Sequence, residues 1–292
     1  MIKHVLEEKI KEFSIANVLD QENVLQELIQ QYILASLSRS GFFSDAVFHG
    51  GTCLRIAYGM NRFSEDLDFF LKQVNPEFTW QKYLDRIYKD AVMEGIHFDI
   101  RDKSKSKPDT TVQKAYLNTD SIGKDFLLDL PFKRDNRKNI KVKLEIDTNP
   151  PSCSSYETRY ITFPLTASIT TQTLESGFGM KMSALLCREY TKARDWYDFI
   201  WYISKKIVPD LRLLQNALYQ QGPWAGQKIQ VGPEWVLENL KKRITQIDWE
   251  SAQQEIQRFL PLEEQESLKL WGQEFFLHLL NLLSQYLGSQ NQ

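Results

Sequence analysis

Apolar positions in the first forty residues (Val18, Leu19, Val24, Leu25, Leu28, Ile29, Ile33, Leu34 and Leu37) recur every three to four places. That is the spacing of one helix face, so the stretch 3–40 is predicted helical. The period then changes. AVFH, ending at residue 49, reads as a short strand entering a glycine turn at Gly50 and Gly51, with a short helix, TCLRIAYGM, behind it. EDLDFFL reads as a strand and residues 79–94 as an amphipathic helix. FDIRDKS, TVQKAYLNT and KVKLEIDT alternate polar and apolar residues at period two, as strands of a mixed sheet do. From Lys181 onward the pattern is mostly helical, with REYTKARDWYDFIWYISKK and later segments near 209–220, 233–259 and 262–287. QQGPWAGQKIQVGP carries the glycines and prolines of a loop. The prediction is an α+β protein. Helices and a mixed-sheet core occupy 1–165, and a mainly helical domain occupies 166–292.

Composition narrows the function classes. The formal net charge of −2 argues against indiscriminate coating of nucleic acid, but permits a local basic patch for one structured RNA. Cys53, Cys153 and Cys187 are far apart and show no C-x-x-C spacing, so they read as reduced thiols rather than a disulfide frame or zinc site. No stretch approaches the length of a membrane span, and the charged start MIKHVLEEKIKEF has no apolar signal core. The expectation is a soluble, cytoplasmic protein that does not engage a membrane.

Candidate chemistry centres on residues 50–68. In a strand, Asp66 and Asp68 project from one face while Leu67, Phe69 and Leu71 face a core. Two carboxylates on one face repel unless a cation lies between them, and Mg²⁺ holding nucleotide phosphates is the usual one. A solvated D-x-D pair on an exposed strand is the bland reading, and the apolar flank LDFFL weighs against it. In KVKLEID, Lys143, Glu145 and Asp147 share a face. If that strand lies beside the first, Glu145 or Asp147 completes a three-carboxylate metal site suited to two-metal phosphoryl transfer. Gly50 and Gly51 serve either as a tight turn or as a side-chain-free phosphate cradle at a helix start. Thr52 is a helix cap or a phosphate ligand, with capping the default. Arg55 and Arg62 neutralise phosphate or make structural ion pairs, and Ser64 bonds a phosphate oxygen or merely ends a strand.

Three separated motifs, GGTCLRIAYGMNRFSEDLDFFL, KVKLEIDTNPP and GMKMSALLCREYTKARDWYDFIWY, resemble the AbiEii/AbiGii-type toxins over roughly residues 30–205. That resemblance implies the nucleotidyltransferase fold, of DNA polymerase β type. It also implies transfer of a nucleotide from an NTP, in some members onto tRNA 3′ ends, and growth arrest relieved by an antitoxin. It places Gly50, Gly51, Asp66 and Asp68 in the nucleotide- and metal-binding motif, with Glu145 as the third acid and Asp147 in reserve. Lys181 and the R-D-x-x-D element (Arg194, Asp195, Asp198) match the motifs after the sheet. Lys181 and Asp195 are thus candidate catalytic residues, and Lys181, Arg188 and Asp198 candidate nucleotide contacts. On one continuous helix, Lys181, Arg188, Lys192 and Asp195 would form a polar stripe, an argument that fails if REYTKA breaks the helix. Trp196, Tyr197, Phe199 and Trp201 read as core aromatics. Basic runs at 133–143, 101–107 and 241–243 are solvated loops or, beside a transfer site, a grip on RNA. His4, His97 and His278 lack metal-ligand spacing. The reading is an Mg²⁺-dependent nucleotidyltransferase acting on RNA. Its alternatives are a small-molecule nucleotidyltransferase of the antibiotic-modifying kind and an inactive binding module on the same fold.

Overall fold

The structure is a computed structural model that describes residues 2–103, 111–119, 130–132 and 140–288. The predicted N-terminal helix is two helices, α1 (Ile2–Ile10) and α2 (Val18–Arg39). The break comes from a capping signal. The side chain of Asn17 accepts from the Asp20 amide at 2.9 Å, while the Asp20 carboxylate takes the Ala16 amide at 3.1 Å. Then follow β1 (Ala46–His49), α3 (Gly50–Tyr58), β2 (Asp66–Leu71), α4 (Gln81–Glu94), β3 (Asp99–Asp102), β4 (Val112–Thr119) and β5 (Ile140–Asp147). All seven of these elements follow the predicted periods.

Two strands were not expected: β6 (Tyr156–Ile161) and β7 (Ala167–Gln172). In β7 the inward positions are Ala167, Ile169 and Thr171, of which only Ile169 is large and apolar, too few to register as an apolar alternation. β6 lies at the sheet edge, where one side needs no apolar cover.

The seven strands form one mixed sheet in the order β3-β4-β5-β2-β1-β7-β6. β2 runs antiparallel to β1 and parallel to β5, so the two acid-bearing strands are neighbours. One face of the sheet is apolar: Leu67, Phe69, Ala115, Leu117, Val142, Leu144 and Ile146 are buried there with the apolar stripe of α2. Aromatic rings fix the approach of α4. Phe42 stacks on Trp80 at 5.6 Å and meets Phe69 and Tyr83 edge-on, each at 4.9 Å. The opposite face of β2 and β5 carries Asp66, Asp68, Lys143, Glu145 and Asp147, with Phe70 as its buried apolar member.

The chain divides into two compact units, Met1–Pro150 with Glu157–Thr171, and Pro151–Tyr156 with Gln172–Gln292. The first contains the sheet as far as Thr171. The second is helical among its described residues: α5 (Leu174–Cys187), α6 (Ala193–Ser204), α7 (Leu211–Gln220), α8 (Pro233–Ile244), α9 (Trp249–Gln257), α10 (Leu262–Gln265) and α11 (Gln273–Gly288). Asp248 ends the predicted 233–259 helix in the middle, because its carboxylate accepts from the Ser251 amide and starts α9. Of the α6 aromatics expected in the core, Trp196, Phe199 and Trp201 are buried, while Tyr197 is half-buried and donates its hydroxyl to Glu264. Trp196 meets Trp249 and Phe276 edge-on, and Trp249 stacks on Phe276 at 3.9 Å.

Candidate functional site

Parallel pairing of β2 with β5 sets Asp66 opposite Lys143, Asp68 opposite Glu145 and Phe70 opposite Asp147. Glu145 is therefore the acid beside Asp68, and Asp147 lies one pair further along. His49, the last residue of β1, is the register partner of Asp68 on the other side. The chain then turns into α3 at Gly50, whose φ of +79° is open to glycine and strained for other residues. A Cβ at Gly50 would lie 2.9 Å from the Asp68 Oδ2. A Cβ at Gly51 would run into the guanidinium of Arg62, which is buried to 2 % exposure and donates to the Phe63 carbonyl at 3.1 Å. Both glycines are thus needed for close approach: one admits a carboxylate and the other a guanidinium. The His49 side chain makes no capping hydrogen bond at the start of α3, and a helix N-terminus of this kind is suited to receive an anion.

The acids are not left to repel. Lys143 Nζ bridges Asp66 Oδ2 at 3.1 Å and Glu145 Oε2 at 2.8 Å, and Lys114 Nζ takes Glu145 Oε1 at 2.7 Å. Burial works against charge on Lys143, but the hydrogen bond to Glu145 and the charge of Asp66 prevail and raise its pKa above that of an ordinary lysine. Burial would likewise raise Glu145, yet its two lysines hold it below the usual range. Asp147 goes the other way. Burial raises it, although the Asn149 amide donates to its Oδ1 at 2.9 Å.

Among the described residues no three His, Cys, Asp or Glu side chains converge to hold a metal ion. Of the three carboxylates expected from the sequence, Glu145 is the register neighbour of Asp68, and both of its oxygens are engaged by lysines. The donor chemistry still fits Mg²⁺, which is typically held by one or two carboxylates together with substrate phosphates. Asp66 and Asp68 share a face, and an ammonium already stands as the cation at Asp66.

Two of the expected nucleotide contacts, Thr52 and Arg55, make structural contacts, and at Ser64 the backbone carbonyl is held. Thr52 is buried and its hydroxyl donates to the Asp66 carbonyl, tying α3 to β2 rather than capping it. Arg55 donates from Nε to Glu27 at 2.8 Å, binds the carbonyls of Met60 and Asn61, and covers Phe63 with its guanidinium 4.3 Å from the ring centroid. It clamps the loop between α3 and β2. The Ser64 carbonyl accepts from Gln30 Nε2 at 2.9 Å. Gln26 Nε2 reaches the carbonyls of Glu65 and Lys141 at 2.9 and 3.2 Å, holding the starts of β2 and β5 together. These glutamines and Lys143 were missed, since a lysine in an alternating strand and glutamines on a helix read as solvated positions.

In the second unit, α5 ends at Cys187 and α6 begins at Ala193, so the helix is broken and the single-helix stripe does not exist. Its residues meet all the same. Lys181 Nζ lies 2.6 Å from Asp195 Oδ1 and 2.8 Å from Asp198 Oδ2, and Arg188 Nε lies 3.1 Å from Asp195 Oδ2. Burial alone would raise the Asp195 carboxyl, but the charges of Lys181 and Arg188 outweigh it and lower it to about 2. Asp198 has no exposed surface, and its carboxylate holds Lys181. Lys192 does not join these ion pairs, and burial lowers its pKa. Residues 133–139 and 104–107 of the two sheet-side basic runs lie outside the described residues.

Comparison with known proteins adds the family. Two solved structures share the fold, both from Helicobacter pylori. One is provisionally assigned as a nucleotidyltransferase (20% identity, TM-score 0.51, covering 92% of this chain and 97% of that one). The other is JHP933 (21% identity, TM-score 0.50, covering 92% and 94%). No curated protein matches the chain. No helix among the described residues is long and apolar enough to cross a membrane. The family profile described as nucleotidyl transferase AbiEii toxin, type IV TA system, matches residues 32–276. With the glycine turn, the paired acids and the Lys181–Asp195–Asp198 cluster all inside that span, the chain belongs to the AbiEii family of nucleotidyltransferase toxins.

Proposed function

We propose that this toxin transfers a nucleotide from an NTP to an RNA acceptor, tRNA 3′ ends foremost, in an Mg²⁺-dependent reaction that an antitoxin restrains. The observation carrying this reading is the juxtaposition of Gly50 with Asp68, and of Asp66 and Asp68 with Glu145, on one sheet face. Asp66 and Asp68 would hold the ion, and when bound it neutralises triphosphate charge. The amides at the start of α3 receive phosphate, and the two glycines keep side chains out of its way. Glu145, with its oxygens on Lys114 and Lys143, anchors these lysines beside the acids. The acceptor hydroxyl forms a bond to the α-phosphorus, the bond to the bridging oxygen breaks, pyrophosphate leaves and the hydroxyl proton passes to solvent. Lys181 and Asp195, the family-motif residues of the second unit, are proposed as required for the same reaction.

The cations on the β4 and β5 face favour an RNA acceptor over a small molecule, whose binding needs no extended basic strip. The test is to incubate the protein with total bacterial RNA, Mg²⁺ and each α-labelled NTP in turn. Label should enter small RNA with one or more NTPs and be abolished by chelator. Label confined to small molecules, or absent with every NTP, would refute the proposal.

A further inference from the structure

The polar face of the sheet continues beyond the acids onto β4 and β3. Register pairs Asp66 with Lys143, Lys143 with Tyr116, and Tyr116 with Arg101, a single row crossing four strands. Strands lie about 4.8 Å apart, so Tyr116 stands about 10 Å from Asp66 on the same face. Alternate residues of β4 and β5, including Ala115, Leu117, Val142 and Leu144, are buried on the other side. Tyr116 is half-buried, and its ring is flanked by Lys141 Nζ at 4.4 Å and Lys103 Nζ at 5.4 Å from the centroid. Lys103, Lys114 and Lys141 are exposed. Of the neighbouring charges, Arg101 is paired with Asp99 and Lys114 with Glu145. The strip is thus a net-positive sheet face with an aromatic ring at its centre, ending at the carboxylates.

We propose that this strip seats the acceptor: a base near the 3′ end of single-stranded RNA stacks on Tyr116, and its phosphates lie on Lys141 and Lys103. The inference rests on the transfer reaction taking place at Asp66 and Asp68, and it names the acceptor subsite of that centre. A cation over a half-buried ring at the surface is a weaker contact than a stacked base. The two ammonium groups therefore exchange the ring for phosphate when RNA arrives. Single strands are favoured over duplex because only an unstacked base offers a face to Tyr116.

The test is fluorescence anisotropy of the full chain with an end-labelled single-stranded RNA of about 12 nucleotides, in chelator and without NTP, so that binding is read apart from transfer. Tyr116→Ala should weaken binding about tenfold, and Tyr116→Phe, which keeps the ring, by no more than about twofold. Lys141→Gln should lower the slope of log affinity against log salt by about 0.7. Wild-type affinity in Tyr116→Ala, equal affinity for a blunt RNA duplex, or displacement of the RNA by ATP alone would each overturn the proposal. Binding that depends on Tyr116 in a protein that labels no RNA would uphold the strip while refuting the transfer reading.

Discussion

At Gly50 two independent constraints coincide: a φ of +79° and an Asp68 oxygen 2.9 Å from where a Cβ would stand. Gly50→Ala is therefore expected to cost about 1–2 kcal/mol in backbone strain and to push Asp68 aside, so transfer should fall further than the melting temperature suggests. Unchanged transfer in Gly50→Ala would show that the close approach is incidental. Lys143 makes a different prediction. Replacing it with methionine leaves Asp66 and Glu145 without the ammonium they share. In chelator the variant should melt lower than wild type, at about 2–4 °C per kcal/mol lost, and added Mg²⁺ should recover part of the difference. A melting curve indifferent to Mg²⁺ would contradict the placement of a cation there. Asp198 separates two readings by one measurement. A buried ion-pair partner should destabilise by about 3–5 kcal/mol on substitution by alanine, whereas a nucleotide contact would leave melting unchanged and raise KM. The buried carboxylate on Lys181 predicts the first outcome.

Among the elements, β2 and β5 were legible because their inward positions carry large apolar side chains, as in Leu67 and Phe69 or Val142 and Leu144. The registers were not legible. The alternation of β2 and β5 does not say that they pair in parallel, which sets Glu145 beside Asp68; the order of Glu145 before Asp147 came only from the family resemblance. β7 was lost because Thr171 is fully buried where a strand pattern wants valine or leucine, and its hydroxyl lies 3.0 Å from that of Tyr58. Helix α2 shows the reverse problem. Its apolar stripe was plain, but buried Gln21 and Gln30 act as clamps on loops far away in sequence, a role visible only in three dimensions. Gln30→Leu should cost about 1 kcal/mol by stripping the Ser64 carbonyl of its donor, and hydrogen exchange should rise over 61–65 more than elsewhere. A uniform change across the chain would mean the glutamine acts through general packing.

For the molecule as a whole, the broken helix between α5 and α6 carries a lesson about motifs. The spacing of Lys181, Arg188 and Asp195 suggested one helical face, and the fold gathers the same residues across a helix break instead. The motif was legible as a set of residue types and illegible as geometry. The Asp195 carboxyl, lowered to about 2, also sets a pH expectation. Its contribution to stability is fully present above the unfolded value of about 3.9 and is lost as pH falls through about 2, since between those values only the unfolded chain takes up the proton. The melting difference between wild type and Asp195→Asn should stay constant from neutral pH down to about 5 and narrow only below about 4. A difference that narrows between pH 7 and 5 would mean that another group governs the cluster.

The central claim is that the acids of β2 form the reaction centre of a nucleotidyltransferase. Label transfer from NTP to RNA, compared between wild type and Asp68→Asn at equal protein and matched melting temperature, addresses it directly. Transfer should drop by at least about 100-fold in the variant, the loss expected when a carboxylate that would hold the ion becomes an amide. Transfer within about twofold of wild type would contradict the account, because a reaction indifferent to Asp68 is carried out somewhere other than beside Gly50.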